Sequence, residues 1–330
     1  MEFQEITVLN ATQEPPRIDI LLATYNGARY LPELLASLDA QTETGWRLIA
    51  RDDGSTDATR AVLDAWSAAR PGRVVILDDD RTGLGASGNF AALLAASDAA
   101  YFMFCDQDDI WLPDKISRMA AEMTRLEARR GDETPLLVHS DLEVVDGDLR
   151  PIDASFWRYQ RLFRPMATPP RELLLVVNYV TGCATLGNAA LRRAAAPVPN
   201  AAALHDWWVA LVAGMLGDIA DIDEPTVRYR QHGVNAVGAK QGTVRGTWRR
   251  FLAGPGAAAQ RTRTILSRSQ AQAGAFLDRH GSALDPTKRA LVSQYAEIGA
   301  AGFWRRKTFL IRNRLMPENR LQLGILTWFM

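Results

Sequence analysis

Short apolar runs alternate with longer amphipathic stretches in the first 130 residues of the chain. The apolar runs predict buried strands at residues 18–23, 46–50, 74–77 and 99–105. Apolar side chains recur at helical spacing at residues 30–40, 58–69, 89–96 and 113–129. Strands that alternate with helices are typical of a largely parallel sheet that is covered by helices on both faces.

The pattern changes after residue 135. Residues 136–145 predict one or two strands, residues 226–229 predict another, and residues 203–216 predict a helix. Helical patterns return at residues 274–280 and 291–299. The chain therefore predicts an α/β fold in which a doubly wound sheet gains antiparallel strands, with a helical appendage at its C-terminal end.

Three of the predicted strands end in polar loops, at residues 24–27, 52–57 and 106–110. In open α/β sheets ligands bind beyond the carboxyl ends of the strands, so we expect these loops to meet at one crevice. Asp106 and Asp108 follow an apolar strand with one residue between them, and such a carboxylate pair can share one hard divalent cation. A polar turn without a ligand is the alternative.

Two other loops give local predictions. Ser55 or Thr56 is expected to cap the helix that begins near residue 57. Residues 78–87 predict a glycine-rich flexible loop beside the nucleotide. This loop lacks the G-x-G-x-x-G spacing of a dinucleotide site and follows the wrong strand for one.

Seven short motifs make the chain resemble the family 2 glycosyltransferases, which are inverting enzymes of GT-A fold that use nucleotide-sugars. In chain order the motifs are ATYNG at 23–27, DDGSTD at 52–57, DQDDIWLPDK at 106–115, HSD at 139–141, TGC at 181–183, HDWW at 205–208 and YRQHG at 229–233. Their order and spacing match over roughly residues 17 to 237, and DQDDIW and YRQHG resemble the rhamnosyltransferase-like subgroup.

The resemblance implies a division of the chain. A Rossmann-like mixed sheet flanked by helices, the GT-A domain, is expected at residues 17–239. A tail at residues 1–16 precedes it, and a basic, mainly helical region follows at residues 240–330.

The resemblance also implies how the donor is bound. Asp108 is expected to bind Mg²⁺ or Mn²⁺, with Asp106 assisting through the metal or the ribose. Asp53 is expected at the pyrimidine base. The same base pocket is expected to be lined by Thr24, Tyr25 and Asn26.

His232 and Arg230 of the YRQHG motif are further donor-side candidates. As in related glycosyltransferases, His232 is expected to contact the diphosphate or complete the metal shell, while Arg230 supplies positive charge. A zinc site is not expected, because the four histidines and two cysteines lack paired ligand spacing.

Asp206 is the predicted general base, since the family places an acid before the acceptor-side helix. The alternative is that Asp206 is only the N-cap of that helix. Trp207 and Trp208 are expected either to form a platform on which a sugar stacks or to pack in the core. One of the two is expected to be buried. Asp141 of the HSD motif and Thr181 and Gly182 of the TGC motif are candidate contacts to the donor or acceptor sugar. The alternative is that both motifs are structural turns.

Composition sets the expected compartment. No apolar run reaches the length of about 18 residues that a membrane-spanning helix requires. The first residues carry acids and no basic segment, so a secretory signal is not expected. Cys105 and Cys183 do not suggest a disulfide framework, and two reduced thiols suit the cytoplasm.

The net charge of zero hides a division between two parts of the chain. Residues 240–330 contain 16 Lys and Arg against four Asp and Glu, so the preceding residues carry the opposite excess. Nucleic acid is not an expected partner, because no motif of a nucleic-acid-binding module is present. The basic region is expected either to pack on the catalytic domain or to contact an anionic membrane surface or a lipid-linked acceptor, peripherally on the inner face of the cytoplasmic membrane.

The sequence therefore predicts an inverting, metal-dependent glycosyltransferase. Its donor is a nucleotide-diphosphate sugar, with dTDP-rhamnose suggested by the subgroup, and its acceptor is a saccharide or a lipid-linked saccharide in bacterial surface polysaccharide synthesis. A sugar-phosphate nucleotidyltransferase and a non-catalytic glycan-binding module are the alternatives. The loop after the first strand lacks the glycine-rich sequence that a nucleotidyltransferase requires, and the acids at 106, 108 and 206 argue against a non-catalytic module.

Overall fold

The computed structural model describes residues 17–160, 169–232 and 255–315. Its strands are β1 (Ile18–Thr24), β2 (Trp46–Asp52), β3 (Val74–Leu77), β4 (Tyr101–Asp106), β5 (Ile110–Trp111), β6 (Leu136–Val145), β7 (Pro151–Asp153), β8 (Thr185–Asn188) and β9 (Asp218–Arg230). Its α-helices are α1 (Leu31–Asp39), α2 (Thr59–Ala68), α3 (Gly85–Ala96), α4 (Lys115–Arg130), α5 (Phe156–Gln160), α6 (Ala189–Ala195), α7 (His205–Leu216), α8 (Pro255–His280), α9 (Pro286–Glu297) and α10 (Phe303–Arg312). The predicted N-terminal tail and the boundary predicted between residues 239 and 240 lie outside the described residues.

One mixed sheet organises the described chain. Its strand order is β3-β2-β1-β4-β8-β6-β9-β5, and β7 pairs with β6. The first four strands are parallel, whereas β8 runs antiparallel to both β4 and β6. The α/β fold with a mixed sheet and flanking helices is as predicted, including the added antiparallel strands.

The strand directions bring the motifs to one edge of the sheet. Because β8 is antiparallel to both neighbours, β6 and its parallel partner β9 run in the same direction as β1, β2 and β4. The C-terminal ends of β1, β2, β4 and β9 therefore share an edge with the N-terminal end of β8. This arrangement confirms that the first three polar loops converge, and it adds the TGC and YRQHG motifs to them.

Two local predictions were wrong. The N-cap residue of α2 is Ala58, which makes no side-chain cap bond, so neither Ser55 nor Thr56 caps the helix. Oδ1 of Asp57 instead accepts from the backbone N–H and the hydroxyl of Thr59. The glycine-rich segment is only partly a loop, because α3 already begins at Gly85. The Asp53 carboxylate stabilises that early start by accepting from the backbone N–H groups of Leu84 and Gly85.

Both tryptophans of the HDWW motif are buried, whereas one was expected to be. Nε1 of Trp207 donates to the Leu174 carbonyl at 2.6 Å, and Nε1 of Trp208 donates to the Ala195 carbonyl at 2.8 Å. A turn of 3₁₀-helix at Arg171–Leu175 covers one side of α7, and α6 packs beside it. Helix α7 is therefore a central core helix rather than a surface one.

The C-terminal helices share a hydrophobic core with α7. Phe276 of α8 is fully buried, with its ring centroid 6.1 Å from that of Trp208. Val292 of α9 and Leu310 of α10 are also fully buried in this core. The described part of the basic region thus packs on the catalytic domain. Within the three described ranges, no helix combines the length and apolar character that crossing a membrane would require.

Candidate active site

A cleft of about 1270 Å³ opens at the edge of the sheet where the motifs meet. The predicted site residues that line it are Thr24, Tyr25, Asn26, Asp53, Asp106, Asp108, Thr181, Gly182, Asp206, Trp207 and His232. They come from segments that are far apart in the chain, and the sheet topology brings them together. The cleft also extends to Ile265 and Leu266 of α8, so the C-terminal helices contribute to its wall.

Hydrogen bonds join the loops after β1 and β2 at one end of the cleft. The backbone N–H of Asn26 donates to Oγ of Ser55 at 2.8 Å, and Oδ1 of Asn26 accepts from the backbone N–H of Thr56 at 2.8 Å. Asn26 adopts a positive φ of 48°, which asparagine tolerates better than most residues. Thr24 is buried and donates to Asp52 at 2.9 Å, while Tyr25 is 56% exposed at the mouth of the cleft.

Asp53 is held firmly at the same end. Its Oδ1 accepts from Nη1 of Arg51 at 3.1 Å and from the Leu84 N–H at 3.0 Å, and its Oδ2 accepts from the Gly85 N–H at 2.8 Å. Arg51 is itself fully buried and also binds Asp79. The carboxylate thus lines the cleft in a fixed orientation between a buried guanidinium and the start of α3.

Gln107 ties this end to the acidic turn after β4. Its side-chain amide accepts from the Tyr25 N–H and donates to the Tyr25 carbonyl, both at 2.9 Å. A Cβ atom at Gly27 would lie 2.1 Å from Oε1 of Gln107, so a larger residue at this position would displace the Gln107 side chain. The middle residue of the D-x-D motif therefore fixes the distance between the two loops.

The acidic turn provides oxygen ligands for a divalent cation. Oδ2 of Asp108 lies 2.8 Å from Nε2 of His232, and both side chains line the cleft. Ligand atoms of Asp106, Asp109 and Cys183 lie within 4.8 Å of one another, and Oδ2 of the fully buried Asp109 has no hydrogen-bond partner among the described residues. Carboxylate oxygens suit Mg²⁺ or Mn²⁺, and a thiol does not.

Electrostatics favour a cation at this turn. Burial, followed by repulsion from Asp108 and Asp206, raises the pKa of Asp106 to about 7. Burial, followed by repulsion from Asp108 and Asp106, raises the pKa of Asp109 well above its usual value. Burial raises the pKa of the Cys183 thiol as well, so the thiol stays protonated. A cation would relieve this repulsion, and Asp106, Asp108 and His232 present oxygen and nitrogen ligand atoms to the cleft.

Lys115 lies beneath the acidic turn and is fully buried. Its Nζ donates to the Cys183 carbonyl and lies 4.1 Å from the centroid of the Trp111 ring. Burial lowers the pKa of Lys115 to about 8, although the surrounding acids oppose that change. The ammonium group thus places positive charge behind Asp106 and Asp109.

Asp206 lies at the start of α7 and faces the cleft. Its Oδ1 accepts from the Trp207 N–H at 2.7 Å and its Oδ2 accepts from the Gly182 N–H at 3.2 Å, while the side chain of Asn178 also bonds to it. Burial raises the pKa of Asp206 to about 6. The N-cap residue of α7 is Leu204, so the alternative in which Asp206 is the N-cap is wrong.

Asp141 and Arg230 do not line the cleft. Asp141 is buried and uses Oδ1 to accept from the backbone N–H groups of Leu142 and Trp157, which fixes the start of α5. Arg230 is buried behind the acidic turn, where it donates to the carbonyls of Asp108 and Gly147, both at 2.8 Å, and to the Glu33 carboxylate. These contacts correct the expectation that Asp141 contacts a sugar. The positive charge expected of Arg230 lies behind the cleft wall, where it bonds to protein groups.

Several residues of the site were not predicted from the sequence. Gln107 and Lys115 lie inside the DQDDIWLPDK motif, and their place in it was the available signal. Asn178 precedes the TGC motif within an apolar segment, and Arg29 follows the ATYNG motif. Neither of these two positions carries a pattern that would have indicated its place on the cleft.

Comparison with known proteins agrees with this geometry. The family model described as glycosyl transferase family 2 matches residues 19–129. An uncharacterized glycosyltransferase of Nostoc sp. is 28% identical over 224 residues, which are 66% of each chain. The dTDP-rhamnosyl transferase RfbG of Shigella flexneri is 27% identical over 242 residues, which are 69% of this chain and 81% of the relative. The chain thus spans just under two thirds of the first relative and four fifths of the second.

The fold has a solved counterpart. Residues 1–349 of S. aureus TarS, in a structure with UDP-GlcNAc, superimpose with a TM-score of 0.55 at 14% identity, covering 95% of this chain and 80% of that one. An identity this low supports the fold alone. The family match over residues 19–129, the glycosyltransferase relatives and the GT-A fold with acids at its cleft together support a family 2 glycosyltransferase.

Proposed function

We propose that the protein is an inverting glycosyltransferase that moves a sugar from a nucleotide-diphosphate donor to a hydroxyl group of a saccharide or lipid-linked saccharide. One observation carries the proposal. The Asp206 carboxylate, whose pKa burial raises to about 6, faces the same cleft as the Asp108–His232 pair. A general base and a cation site that share one cleft are what a single direct displacement requires.

Asp206 accepts the proton of the acceptor hydroxyl as its oxygen attacks the anomeric carbon. The new C–O bond forms on the face opposite the diphosphate, and the bond from the anomeric carbon to the diphosphate oxygen breaks. Asp108, Asp106 and His232 would hold a Mg²⁺ or Mn²⁺ ion, which would supply positive charge to stabilise the departing diphosphate. No covalent sugar–enzyme intermediate is needed, so one base near neutral pKa suffices.

The loops after β1 and β2 bind the nucleotide in this proposal. Thr24, Tyr25 and Asn26 lie beside Asp53 along the cleft, and the hydrogen bonds between the loops hold their shape before the donor arrives. We propose dTDP-rhamnose as the first donor to test. The name of the Shigella flexneri relative and the DQDDIW and YRQHG motifs support this choice.

We further propose that the acceptor is used at an anionic membrane surface in bacterial polysaccharide synthesis, with the protein on the cytoplasmic side. Helix α10 supports this placement, because Trp304 is 74% exposed and Ile311 is 55% exposed. Arg305 and Arg312 are exposed on the same helix, and residues 303–315 contain no acid. Exposed aromatic and aliphatic groups beside cations are typical of interfacial helices.

A donor panel tests the enzymatic proposal. The protein is incubated with dTDP-rhamnose, UDP-GlcNAc or GDP-mannose, with Mn²⁺, Mg²⁺ or EDTA, and melting temperature and nucleotide release are measured. We expect one donor to raise the melting temperature and to release a nucleoside diphosphate only when metal is present. Release of pyrophosphate would instead indicate a nucleotidyltransferase. Absence of stabilisation by every donor, with metal present, would contradict the proposal.

A further inference from the structure

The charges along the cleft are unequal. Four aspartates line it, at positions 53, 106, 108 and 206. Among the described residues that line it, Arg29 is the one lysine or arginine. A nucleotide diphosphate is itself an anion, so a positive side chain on the cleft wall would favour its binding.

Arg29 lies next to the predicted cation site. Its Cζ atom is 5.0 Å from the centroid of the Tyr30 ring, and that centroid is 4.7 Å from the His232 ring. Nε2 of His232 in turn lies 2.8 Å from Oδ2 of Asp108. Arg29 and His232 thus pack against the same aromatic ring, that of Tyr30.

Tyr30 is a fixed support for this guanidinium. Cζ of the buried Arg230 lies 4.5 Å from the centroid of the same ring, and Arg230 is bonded to the Asp108 carbonyl and to Glu33. Packing of Arg29 on a fixed aromatic ring reduces the number of conformations that its side chain visits, so less entropy is lost when it binds a ligand.

Arg29 also has no anionic partner within the described part of the chain. Other arginines of the fold pair with acids, as Arg70 does with Asp39 at 2.5 Å. Arg29 makes no such ion pair, although it is exposed in a cleft that four carboxylates line. A guanidinium that is placed on a support and is not neutralised by the protein is available for an anionic ligand.

We propose that Arg29 binds a phosphate group of the ligand in the cleft, donating two parallel N–H bonds to phosphate oxygens. This inference rests on the proposed function and adds a residue outside the ATYNG motif to it. The phosphate belongs to the donor diphosphate or to a phosphorylated acceptor, and both present the same chemistry to Arg29.

The first test uses calorimetry of the full-length protein with dTDP and UDP, and with thymidine and uridine as phosphate-free probes. We expect Arg29→Gln to weaken binding of the matching nucleoside diphosphate about tenfold, equal to about 1.4 kcal/mol. Binding of the nucleoside is expected to stay unchanged. Arg29→Lys should lose less affinity, because it keeps the charge but not the paired geometry.

Arg289→Gln is the matched control. Arg289 is exposed on α9 and does not line the cleft, so its substitution removes the same charge without a ligand contact. We expect this variant to bind like the wild type. Raising the salt concentration should weaken diphosphate binding less in Arg29→Gln than in the wild type or in Arg289→Gln, because Arg29→Gln lacks one charge contact to the ligand.

Acceptor kinetics identify the source of the phosphate. The acceptor supplies the phosphate if Arg29→Gln binds dTDP and UDP normally but has a raised KM for a lipid diphosphate-linked saccharide. The KM for the same saccharide on a neutral alkyl chain should then be unchanged. The inference is overturned if Arg29→Gln changes neither the affinity for the nucleoside diphosphate nor the KM for the lipid diphosphate-linked saccharide. It is also overturned if Arg289→Gln loses as much affinity as Arg29→Gln. A wild-type protein that binds no nucleoside diphosphate would overturn both this inference and the proposed function, whereas normal wild-type turnover with an unaffected Arg29→Gln would overturn this inference alone.

Discussion

The backbone N–H of Gly182 donates a hydrogen bond to Oδ2 of Asp206 at 3.2 Å, which joins the TGC turn to the start of α7. A Cβ atom at position 182 would lie 3.2 Å from Cβ of Asp206 and 3.4 Å from its Oδ2. The first distance is shorter than most contacts of a Cβ atom, and the second is at the lower limit of ordinary contact. Glycine at this position therefore allows the carboxylate to approach the turn that orients it.

Gly182→Ala is expected to displace Asp206 and to lower kcat about tenfold, because small displacements of a catalytic group have large effects on rate. Steady-state kinetics with the donor found in the panel measure the change. Gly274→Ala is the control, since a Cβ atom there meets nothing within 4 Å. It should leave kcat unchanged and stabilise α8 by about 0.5–1 kcal/mol. Equal kcat values for the two variants would contradict the role of the Gly182 contact.

Asp206→Asn is expected to lower the transfer rate by about 10²–10⁴-fold, which is the usual contribution of a general base. The asparagine oxygen can accept from only one of the Gly182 and Trp207 N–H groups, but neither bond reaches the nucleotide loops or Asp108, so donor and metal affinity should be retained. Transfer rate and calorimetric donor affinity measure the two effects separately. Near-normal turnover in this variant would mean that another group activates the acceptor.

The pH dependence of kcat/KM should follow the ionisation of Asp206 in the free enzyme. Because the base works as a carboxylate, and burial raises its pKa to about 6, kcat/KM is expected to rise with pH and to level off above about pH 6. The folded protein holds this proton more tightly than the unfolded chain does. The contribution of Asp206 to stability is therefore present at low pH and is lost as pH rises towards 6.

Thermal unfolding of Asp206→Asn tests the stability part of this argument. The asparagine does not ionise, so the variant should gain stability relative to the wild type as pH increases from 4 to 7. A wild-type kcat/KM profile that shows no change between pH 5 and 7 would exclude Asp206 as the group that controls the rate.

Lys115→Met is expected to destabilise the protein by about 3 kcal/mol, which is typical when one partner of a buried charge cluster is removed. The substitution leaves the Cys183 carbonyl without its donor and removes the positive charge behind Asp109. Denaturant unfolding measures the loss. Adding Asp109→Asn should restore part of it, because the remaining negative charge is then smaller. A purely additive double variant would show that the two side chains are not coupled.

The sequence predicted the strands and loops that form the site because the patterns that indicate them are local. Apolar runs that end in polar residues located β1, β2 and β4, and parallel strands necessarily bring their ends to one edge. Strand β9 was predicted only at residues 226–229 because acidic residues interrupt its earlier part, which nevertheless pairs with β6 from Asp218 onward.

Other features depend on contacts between distant segments. Asp53 bonds to the start of α3, 31 and 32 positions away along the chain, and no local pattern records that approach. Lys115 opens an amphipathic helix, where a lysine is normally exposed, yet the fold buries it under the acidic turn. The burial of both tryptophans likewise follows from the elements that cover α7 on two sides.

The last prediction concerns the exposed face of α10. Arg305→Glu combined with Arg312→Glu should weaken binding to phosphatidylglycerol-containing vesicles by at least tenfold, since each cation near an anionic surface contributes about 1 kcal/mol. Trp304→Ser should weaken binding to the same vesicles by removing an interfacial aromatic group. Vesicle sedimentation measures both effects. Arg289→Glu on α9 reverses a charge elsewhere and should bind normally, and an unchanged melting temperature would show that α10 remains packed. Equal binding to phosphatidylcholine and phosphatidylglycerol vesicles by the wild-type protein would contradict the role of charge and leave the exposed arginines of α10 without a function at the membrane.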